Sequence, residues 1–392
     1  MKKKPSPRKS LLKNVIIFAA AALLVAAYII GFIHEDKQTL LKLQNSFLKR
    51  IAFQKISDNP LIFEARDAES KTFLDYIAIE KGQGWGGPLH MATVIDKNGV
   101  IERVILIDHK ETPPFLFKIQ RHRFLQQFVG KKVSNPFVLE CDIDTVTQAT
   151  MSSKAIKEAV RGGSHAVAKK ILDFSIKKEP LAWKFGNNEI ILLLLYVVML
   201  TGVVLKIKIL RYLTMAAAFI FLGFYLNSSI SIGNISSLLL GYFPSFRENM
   251  FLWLLLLGAL VMPLILRRNL YCSHLCPFGV LQESTAKISG LNIQLGEKNI
   301  RLTRYLVHFL TWLALILIFL TSNPAVGAYE PFATFFGLEG IGVQWFILPV
   351  VVIGSFVLTR FFCRFFCPVG VVLNVIVKAR SAVDKIVTKS KK

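Results

Sequence analysis

The longest uncharged stretch of the chain lies near its N-terminus and restricts the fold more than any other feature. No charged residue occurs between Lys13 and His34, and NVIIFAAAALLVAAYIIGF fills this interval. A helix of that length can cross a hydrocarbon core of ~30 Å. A secretory signal has a shorter apolar core and a cleavage site of small residues, whereas this segment ends in YIIGFIHEDK. We therefore predict an uncleaved transmembrane anchor over residues 14–33.

Five further apolar segments follow, all of them after residue 185. They cover residues 189–205, 209–226, 250–266, 305–321 and 343–358. The intervening residues 34–185 show mixed strand and helix patterns without a long apolar run. The apolar fraction of 53% and the mean hydropathy of +0.49 exceed the values of ordinary soluble domains. The sequence thus predicts a multi-domain membrane protein with an α+β domain, an all-α bundle and six transmembrane helices in total.

The positive charge alternates from loop to loop. The net charge is +23, and Lys and Arg concentrate in the first 13 residues, in KIKILR, from RRNLYC to RLTR, and from Arg360 onward. By contrast, NSSISIGNISSLLLGYFPSFREN contains one Arg and NPAVGAYEPFATFFGLEGIG contains none. This alternation follows the positive-inside rule of membrane proteins. The positive charge is therefore explained by the membrane lipid as a partner, and nucleic acid is not expected to bind.

The charge pattern also predicts the topology of a multi-pass cell (inner) membrane protein. Both termini are expected in the cytoplasm and the α+β domain on the extracytoplasmic side. The predicted parts are a basic N-terminus (1–13), the anchor (14–33), the extracytoplasmic domain (34–185), a five-helix membrane domain (186–375) and a basic tail (376–392).

A cluster of hydroxyl residues precedes a predicted helix in the extracytoplasmic domain. Apolar residues from Ala155 to Ile171 recur at helical spacing, which predicts an amphipathic helix over residues 153–172. Ser152 or Ser153 is the predicted N-cap. The hydroxyls are explained either by capping alone or by an anion site, because free N–H groups and the helix dipole favour phosphate. A Thr immediately before the helix could hold a phosphate as an ester.

The residues around this cluster resemble a known motif. Asp144-x-x-Thr147-Gln148-Ala149-Thr150 resembles the Asp-x-x-Ser/Thr-Gly-Ala-Thr flavinylation motif of FMN-binding domains. Such domains occur in sodium-pumping and Rnf-type electron-transfer complexes and in NosR-type membrane proteins. The resemblance implies that a flavin transferase esterifies Thr150 with the phosphate of FMN. It also places Ser152 near the cofactor, while Gln148 stands where the family usually has Gly.

A second block, from GQGWGGPLH to HKETPP, supports the same resemblance. Asn98-Gly99 between two apolar runs predicts a β-hairpin. The flanking elements resemble the glycine-rich segment and the His-x-Glu-Thr-Pro segment of the same domain. The residues that this resemblance assigns to FMN binding are Gly84, Trp85, Gly86, Gly87, Glu111 and Thr112. Trp85 either contacts the isoalloxazine ring or packs as a turn aromatic.

Four of the five cysteines form two copies of one pattern. Cys272 and Cys276 lie in CSHLCPFGV, and Cys363 and Cys367 lie in CRFFCPVGV. Each copy follows an apolar segment, which indicates a two-fold internal repeat. The predicted topology places both pairs on the cytoplasmic side, where stable disulfides are not expected. Residues i and i+4 of a helix share a face, so each pair can present two thiolates together.

Four thiolates suit an iron–sulfur cluster or Zn, and structural or unligated cysteines are the third alternative. The fifth cysteine, Cys141, is interpreted as a small buried residue, with a reactive exterior thiol as the alternative.

The C-terminal half resembles the polyferredoxin-like membrane domain of the NosR/NirI group, through LCPFGVLQE and FFCRFFCPVGVVL. Domain order and length resemble the shorter PceC/RdhC-type proteins of organohalide respiration. The resemblance implies an electron-transfer flavoprotein that carries electrons from quinol or a cytoplasmic-side centre, through covalent FMN, to an extracytoplasmic terminal reductase. A membrane maturation or redox-sensing factor is the alternative. Simple transport is disfavoured because the spans lack intramembrane acidic residues. A gap of ~30 Å is expected between the two centres.

Overall fold

The computed structural model describes residues 7–46, 51–67, 69–176, 185–247, 249–291, 293–338 and 342–390. Three parts of the predicted organisation lie outside the described residues. They are residues 1–6 of the basic N-terminus, residues 391–392 of the basic tail, and the domain junction at residues 177–184.

The predicted α+β domain contains an antiparallel sheet whose strands are neighbours in chain order. Its strands are β1 (Ile51–Asp58), β2 (Leu61–Asp67), β3 (Phe73–Gln83), β4 (Pro88–Ile95) and β5 (Ile101–His109). Its helices are α2 (Pro113–Arg121) and α3 (Thr150–Lys170). Helix α3 lies on β3 and β4, and its Ile156, Ala159 and Val160 are buried. We refer to residues 51–176 as the sheet domain; it has the predicted combination of a sheet with helices.

The hairpin predicted at Asn98-Gly99 is present between β4 and β5. Gly99 has a φ of +76°, in the left-handed region that Gly adopts without steric cost. The Asp96 carboxylate accepts hydrogen bonds from the backbone N–H groups of Asn98 and Val100, at 2.9 and 2.7 Å. The turn therefore fixes the register of the two strands.

The remaining helices, with two π-helical segments, form the membrane domain. They are α1 (Pro7–Ser46), α4 (Asn187–Val204), α5 (Lys208–Ala218), α6 (Ile232–Leu239), α7 (Met250–Leu266), α8 (Pro277–Ser289), α9 (Glu297–Thr321), α10 (Phe332–Gly337), α11 (Gln344–Val357), α12 (Phe361–Phe365) and α13 (Pro368–Ser390). The π-helical segments are Phe219–Tyr225, which continues α5, and Tyr271–Leu275, which precedes α8.

Four of the described helical segments are long and apolar enough to cross a membrane. They are Asn14–Ile33, Asn187–Val204, Lys208–Tyr225 and Glu297–Thr321. Helices α7 and α11 are apolar but have only 17 and 14 residues. At a rise of 1.5 Å per residue they span ~26 and ~21 Å, less than a hydrocarbon core of ~30 Å. The protein is thus a membrane protein with four candidate spans, and the count of six stays a prediction.

The predicted anchor is part of the longer helix α1, which has 40 residues and continues beyond residue 33 to Ser46. The expected start of the extracytoplasmic domain at residue 34 therefore lies inside a continuous helix. Helix α1 packs on α9, where the Trp312 indole donates to the backbone oxygen of Ala20 at 3.1 Å. A Cβ atom on Gly31 would lie 1.9 Å from the Phe319 oxygen, so only Gly permits this contact.

After α7 and again after α11, the chain turns back into the bundle. The Tyr271 hydroxyl accepts a hydrogen bond from the backbone N–H of Ile230 at 2.9 Å, and Ile230 lies in the loop before α6. In the second repeat, the Tyr329 hydroxyl donates to the backbone oxygen of Phe366 at 2.5 Å. Each cysteine motif therefore contacts one of the two charge-poor loops, which connect α5 to α7 and α9 to α11.

The side of the membrane on which the cysteines lie stays a prediction. Helix α8 leads away from the first motif, and Ser289 at its end donates to the backbone oxygen of Phe356 near the end of α11. Its 13 residues span ~20 Å, so Cys276 lies about that far from Ser289. The sequence pattern did not show that the chain re-enters the bundle after each apolar helix.

The sheet domain lies on the two charge-poor loops. The Asn234 amide of α6 donates to the backbone oxygen of Trp85 at 2.7 Å, and the Ser237 hydroxyl donates to the backbone oxygen of Gly86. The Lys110 ammonium donates to the Tyr242 hydroxyl and lies 4.4 Å from the centroid of that ring. The sheet domain and these loops thus share one side of the bundle, and the side of the membrane that they face stays a prediction.

Candidate cofactor sites

Helix α3 begins three residues earlier than predicted. Thr150 is its first residue, and the N-cap position is taken by Ala149, which offers no side-chain hydrogen bond. Ser153, a predicted N-cap, instead donates from its hydroxyl to the Ala149 oxygen at 3.1 Å and accepts from the Val146 N–H at 3.2 Å. The N-cap prediction is wrong for both Ser152 and Ser153. A helix start without a side-chain cap leaves N–H groups and the positive dipole end for an anion.

Thr150 lines a cleft between the sheet domain and the membrane domain, which we call the Thr150 cleft. Its empty space, including the part open to solvent, is about 530 Å³. The sheet domain contributes Trp85, Phe115, Lys154 and residues 148–152, and the membrane domain contributes Asn188, Glu189, Phe251 and residues 226–228. The cleft thus offers a hydroxyl at a helix start, a cation and three aromatic side chains, which fit a flavin phosphate and ring.

The contacts of Gln148 explain why this position departs from the Gly of the flavinylation motif. Its φ is +62°, in the left-handed region, which Gly adopts at no cost and other residues only with strain. Its side-chain amide donates to the backbone oxygen of Phe224 at 2.5 Å, and its carbonyl accepts from the Lys118 ammonium at 2.7 Å. Gln148 therefore connects the motif to the membrane domain, a contact that Gly cannot make.

Glu111 organises the glycine-rich turn rather than lining the cleft. This side chain is fully buried. Its carboxylate accepts from the backbone N–H groups of Trp85 (2.9 Å), Gly86 (2.6 Å) and Thr112 (2.8 Å) and from the Ser152 hydroxyl (2.8 Å). Burial raises the pKa of the Glu111 carboxyl, and these four donors oppose the rise. The carboxylate therefore joins the turn to the first turn of α3.

The glycines of the turn are required by this packing. A Cβ on Gly84 would lie 2.0 Å from Glu111 Oε2, and a Cβ on Gly86 would lie 2.6 Å from the Thr112 nitrogen. Gly87 similarly faces the backbone of Lys110 at 2.6 Å. These glycines thus pack against the Glu111–Thr112 segment, and only Trp85 of the turn reaches the cleft.

We expect Glu111→Ala to destabilise the sheet domain by roughly 3–5 kcal/mol, because each buried donor left without an acceptor costs about 1–3 kcal/mol. Three backbone N–H groups and one hydroxyl would lose their acceptor. Hydrogen–deuterium exchange of β3 and α3 in the full-length protein measures the loss. Glu102→Ala, at an exposed position of β5, is the control. Unchanged exchange in the Glu111 variant would contradict the assigned role.

Besides Glu111, Thr112 and the turn glycines, two further predicted cofactor residues are not brought to the cleft. Asp144 and Thr147 are exposed, and the backbone of Asp144 pairs with the Gln127 side chain, at 2.8 Å for the N–H and 3.2 Å for the oxygen. Their binding of the cofactor stays a prediction. Cys141 is also exposed, so its interpretation as a buried residue is wrong.

The four paired cysteines line one cavity, with an empty volume of about 760 Å³, which we call the four-thiol cavity. Its other walls include Tyr271, Phe332, Arg360 and Ile230. The two motifs are about 90 residues apart in the chain, yet the fold brings their sulfur atoms to one space. Shared ligation of one centre is therefore sterically feasible.

The second cysteine of each pair begins a helix. Cys276 is the N-cap of α8, and Pro277 follows at the first helical position, which suits its missing N–H. In the second motif, Cys367 precedes Pro368 of α13, and the Gly370 N–H donates to its sulfur at 3.4 Å. A Cβ on Gly279 or on Gly370 would lie 3.7 Å from the sulfur of its own motif. The Cys-Pro-x-Gly pattern thus directs a helix start toward each thiolate and stabilises its negative charge.

The prediction that both cysteines of a pair lie on one helix face is wrong. Cys272 lies in the π-helical segment Tyr271–Leu275, and Cys276 has the extended backbone of a helix break, with ψ at 111°. Among the described residues, no three His, Cys, Asp or Glu side chains come close enough to hold a single metal ion.

Residues that sequence reasoning missed support the four-thiol cavity. Gln282 donates from its amide to Cys363 Sγ at 3.4 Å and accepts from the Phe362 N–H at 2.7 Å. Its neighbour Glu283 forms ion pairs with Arg360 and Arg211, both at 2.9 Å. Gln282 and Glu283 lie in LCPFGVLQE, which contains the second cysteine of the first motif. Their hydrogen-bond and ion-pair partners are too distant in sequence to be inferred from this motif.

A third, smaller space adjoins both sites, and we call it the junction cavity. Its empty volume is about 300 Å³. It shares Trp85, Phe115 and Asn227 with the Thr150 cleft, and Phe332 with the four-thiol cavity. The two candidate cofactor sites therefore border one common space, in contrast to the expected gap of a bilayer core.

Comparison with known proteins agrees with this division of sites. Residues 84–163 match the model of the FMN-binding domain, and residues 249–299 and 344–386 match the 4Fe-4S binding domain. The chain is 25% identical over 191 residues to the regulatory protein NosR of Pseudomonas aeruginosa and 26% identical over 179 residues to the protein NirI of Paracoccus denitrificans. Each alignment covers 42% of this chain, and 25% and 26% of the respective relatives. The chain thus spans about a quarter of the length of these relatives.

These findings confirm the broader resemblance. The protein is a membrane flavoprotein and iron–sulfur protein, with an FMN-binding domain, a 4Fe-4S domain and NosR/NirI homologues. They favour a redox or electron-transfer role. The narrower PceC/RdhC-type assignment and the roles of individual site residues stay predictions.

Proposed function

We propose that the protein carries electrons from a 4Fe-4S cluster in the four-thiol cavity to FMN esterified on Thr150. One observation carries this proposal: the Thr150 cleft and the four-thiol cavity both adjoin the junction cavity. The aromatic side chains of Trp85 and Phe332 lie between the two sites.

On the flavin side, this chain supplies attachment and orientation. Thr150 provides the hydroxyl for the phosphate ester, and the uncapped start of α3 and Lys154 favour the phosphate charge. Trp85 and Phe115 limit the space for the ring. FMN exchanges either one or two electrons, so it can take up single electrons from a 4Fe-4S cluster and deliver them to an acceptor singly or in pairs.

On the cluster side, an open groove adjoins Cys363. It has an empty volume of about 1310 Å³ and lies between α9 and α13, with His308, Arg304 and Asn374 among its polar residues. Ile300, Val307 and Val371 supply apolar walls. This mixture suits the ring and tail of a quinol, so we propose that electrons arrive from the quinone pool through this groove.

The direction of transfer follows from the proposed topology. The sheet domain lies on the two loops poor in Lys and Arg, which the positive-inside rule assigns to the exterior. Both termini then lie in the cytoplasm and the Thr150 cleft faces an extracytoplasmic acceptor. We propose that this acceptor is a terminal reductase of anaerobic respiration and that a flavin transferase attaches the FMN.

The test is flavin reduction in proteoliposomes. Protein co-expressed with a flavin transferase is mixed with menaquinol, and the bleaching of flavin absorbance is followed. We expect repeated turnover with an impermeant exterior one-electron acceptor in the wild type. In Cys276→Ser, flavin stays attached but its reduction slows by at least ~10-fold, as loss of even an outer-shell metal partner typically costs that much. Wild-type reduction rates in the cysteine variant would refute transfer through the thiols.

A redox-sensing or maturation role is the second candidate. Two of the relatives bear the printed name regulatory protein, among them NosR of Stutzerimonas stutzeri, 26% identical over 186 residues. A sensor would be reduced once without sustained turnover. The same experiment therefore separates the two candidates.

A further inference from the structure

The junction cavity has an unusual polar wall. Four of its buried side-chain atoms have no hydrogen-bond partner within the described part of the protein: Thr112 Oγ1, Asn227 Oδ1, Ser229 Oγ and Glu330 Oε2. These residues are only 5%, 2%, 5% and 4% exposed, respectively. Buried polar atoms without partners are rare, and a group of four around one space indicates a site for ordered water, an ion or chemistry.

Glu330 is the ionisable member of this wall. Its Oε1 accepts a hydrogen bond from the backbone N–H of Ile232, at the start of α6, at 2.7 Å. Burial raises the pKa of the Glu330 carboxyl to about 7. Other titratable groups nearby are Tyr329 on the same loop and Glu111, which adjoins Thr112; no Lys, Arg or His of the described residues lines the cavity. The carboxyl can therefore both hold and release a proton near neutral pH.

We propose that Glu330 donates protons through the junction cavity to the flavin held at Thr150. This inference rests on the proposed function, which supplies the electrons from the cluster. Complete reduction of a flavin takes up two electrons and one or two protons. For each proton, the Glu330 O–H bond breaks. The proton then passes to the flavin in the cleft through ordered water and hydroxyls such as those of Thr112 and Ser229. Exterior solvent reprotonates the Glu330 carboxylate.

A cation site is the competing interpretation of the same wall. One carboxylate and three neutral oxygens are ligands that a hard cation such as Na⁺ accepts. A cation-binding carboxylate must be ionised, whereas burial in this cavity favours the protonated form of Glu330. One Glu330 oxygen is also already occupied by the Ile232 N–H. Proton donation therefore fits better.

The kinetic test uses Glu330→Gln, which keeps the acceptor for the Ile232 N–H and nearly the same volume. In wild-type protein, flavin reduction is expected to be fastest below pH 7 and to slow above it, since Glu330 loses its proton as the pH rises through about 7. The variant should be ~100-fold slower at low pH, the lower end of general-acid effects, without this pH dependence. Glu140→Gln, at an exposed position of the sheet domain, should behave as the wild type.

A second measurement detects the proton of the Glu330 carboxyl in protein that carries no covalent flavin. In Thr150→Ala protein, infrared titration should show a protonated-carboxyl band that disappears with a midpoint at about pH 7. The band should be missing when Glu330→Gln is added. Absence of flavin reduction in the wild type would refute the proposed function, while this titration still tests Glu330.

Three results would overturn proton donation. They are a wild-type rate and pH profile in Glu330→Gln, a carboxyl band that the variant does not remove, and a reduction rate controlled by Na⁺ or K⁺ rather than by pH.

Discussion

Thr150→Ala should abolish covalent flavin while leaving the fold intact. The ester requires the Thr150 hydroxyl, and the flavinylation motif assigns the ester bond to this residue alone. The hydroxyl has no capping role, because α3 starts without a side-chain cap, so its loss should cost little stability. Flavin fluorescence of the denatured protein on a gel, after co-expression with a flavin transferase, gives the readout.

Two variants make this experiment specific. Thr147→Ala removes an exposed hydroxyl of the same motif and should keep the fluorescence, while Thr150→Ser, which retains a hydroxyl, should restore part of it. Covalent flavin in Thr150→Ala would show that the attachment point is wrong. Loss of flavin in Thr147→Ala as well would show that the motif is read by the transferase as a whole, and the position would need direct mapping by mass spectrometry.

Replacing any one of Cys272, Cys276, Cys363 and Cys367 by Ser should remove nearly all iron from the protein. The four sulfur atoms line one cavity, so a shared cluster that loses one ligand becomes incomplete whichever repeat is changed. The expected loss is at least the ~10–100-fold that removal of an outer-shell partner typically causes. Iron analysis and the absorption spectrum of each purified variant measure it.

Cys141→Ser provides the matched control, since Cys141 is exposed in the sheet domain and its loss should leave iron unchanged. Retention of about half the iron after loss of one pair would instead indicate two separate centres. Iron near zero in the wild type would eliminate the cluster. In each case, flavin on Thr150 should persist, because its attachment involves none of these sulfur atoms.

Local sequence patterns predicted the elements of this protein better than its long-range contacts. The anchor, the hairpin at Asn98-Gly99 and the amphipathic helix α3 are encoded by neighbouring residues, and the structure contains all three. The start of α3 was misplaced because Ser152 and Ser153 are good N-caps in isolation. Their hydroxyls are instead bound by Glu111 and Ala149, which only the folded domain provides.

The cofactor sites show the same limit. The cysteine pairs and Thr150 were identified from motifs, but their proximity was not, because hydropathy cannot distinguish a helix that leaves the membrane from one whose chain turns back. The contact of Tyr271 with Ile230 depends on residues 41 positions apart. Gln148 likewise departs from the motif, and its hydrogen-bond partner Phe224 lies 76 residues away, so the motif could not predict their contact.

The repeated Cys-Pro-x-Gly element also has a consequence for biogenesis. Each repeat supplies two thiols, and the second pair follows the first by 91 residues. On the proposal of one shared cluster, a nascent chain that has inserted only the first repeat presents half of the ligand set. Cluster loading would then follow insertion of both repeats, so the cell's iron–sulfur donors would act on two folded repeats rather than on the first one alone.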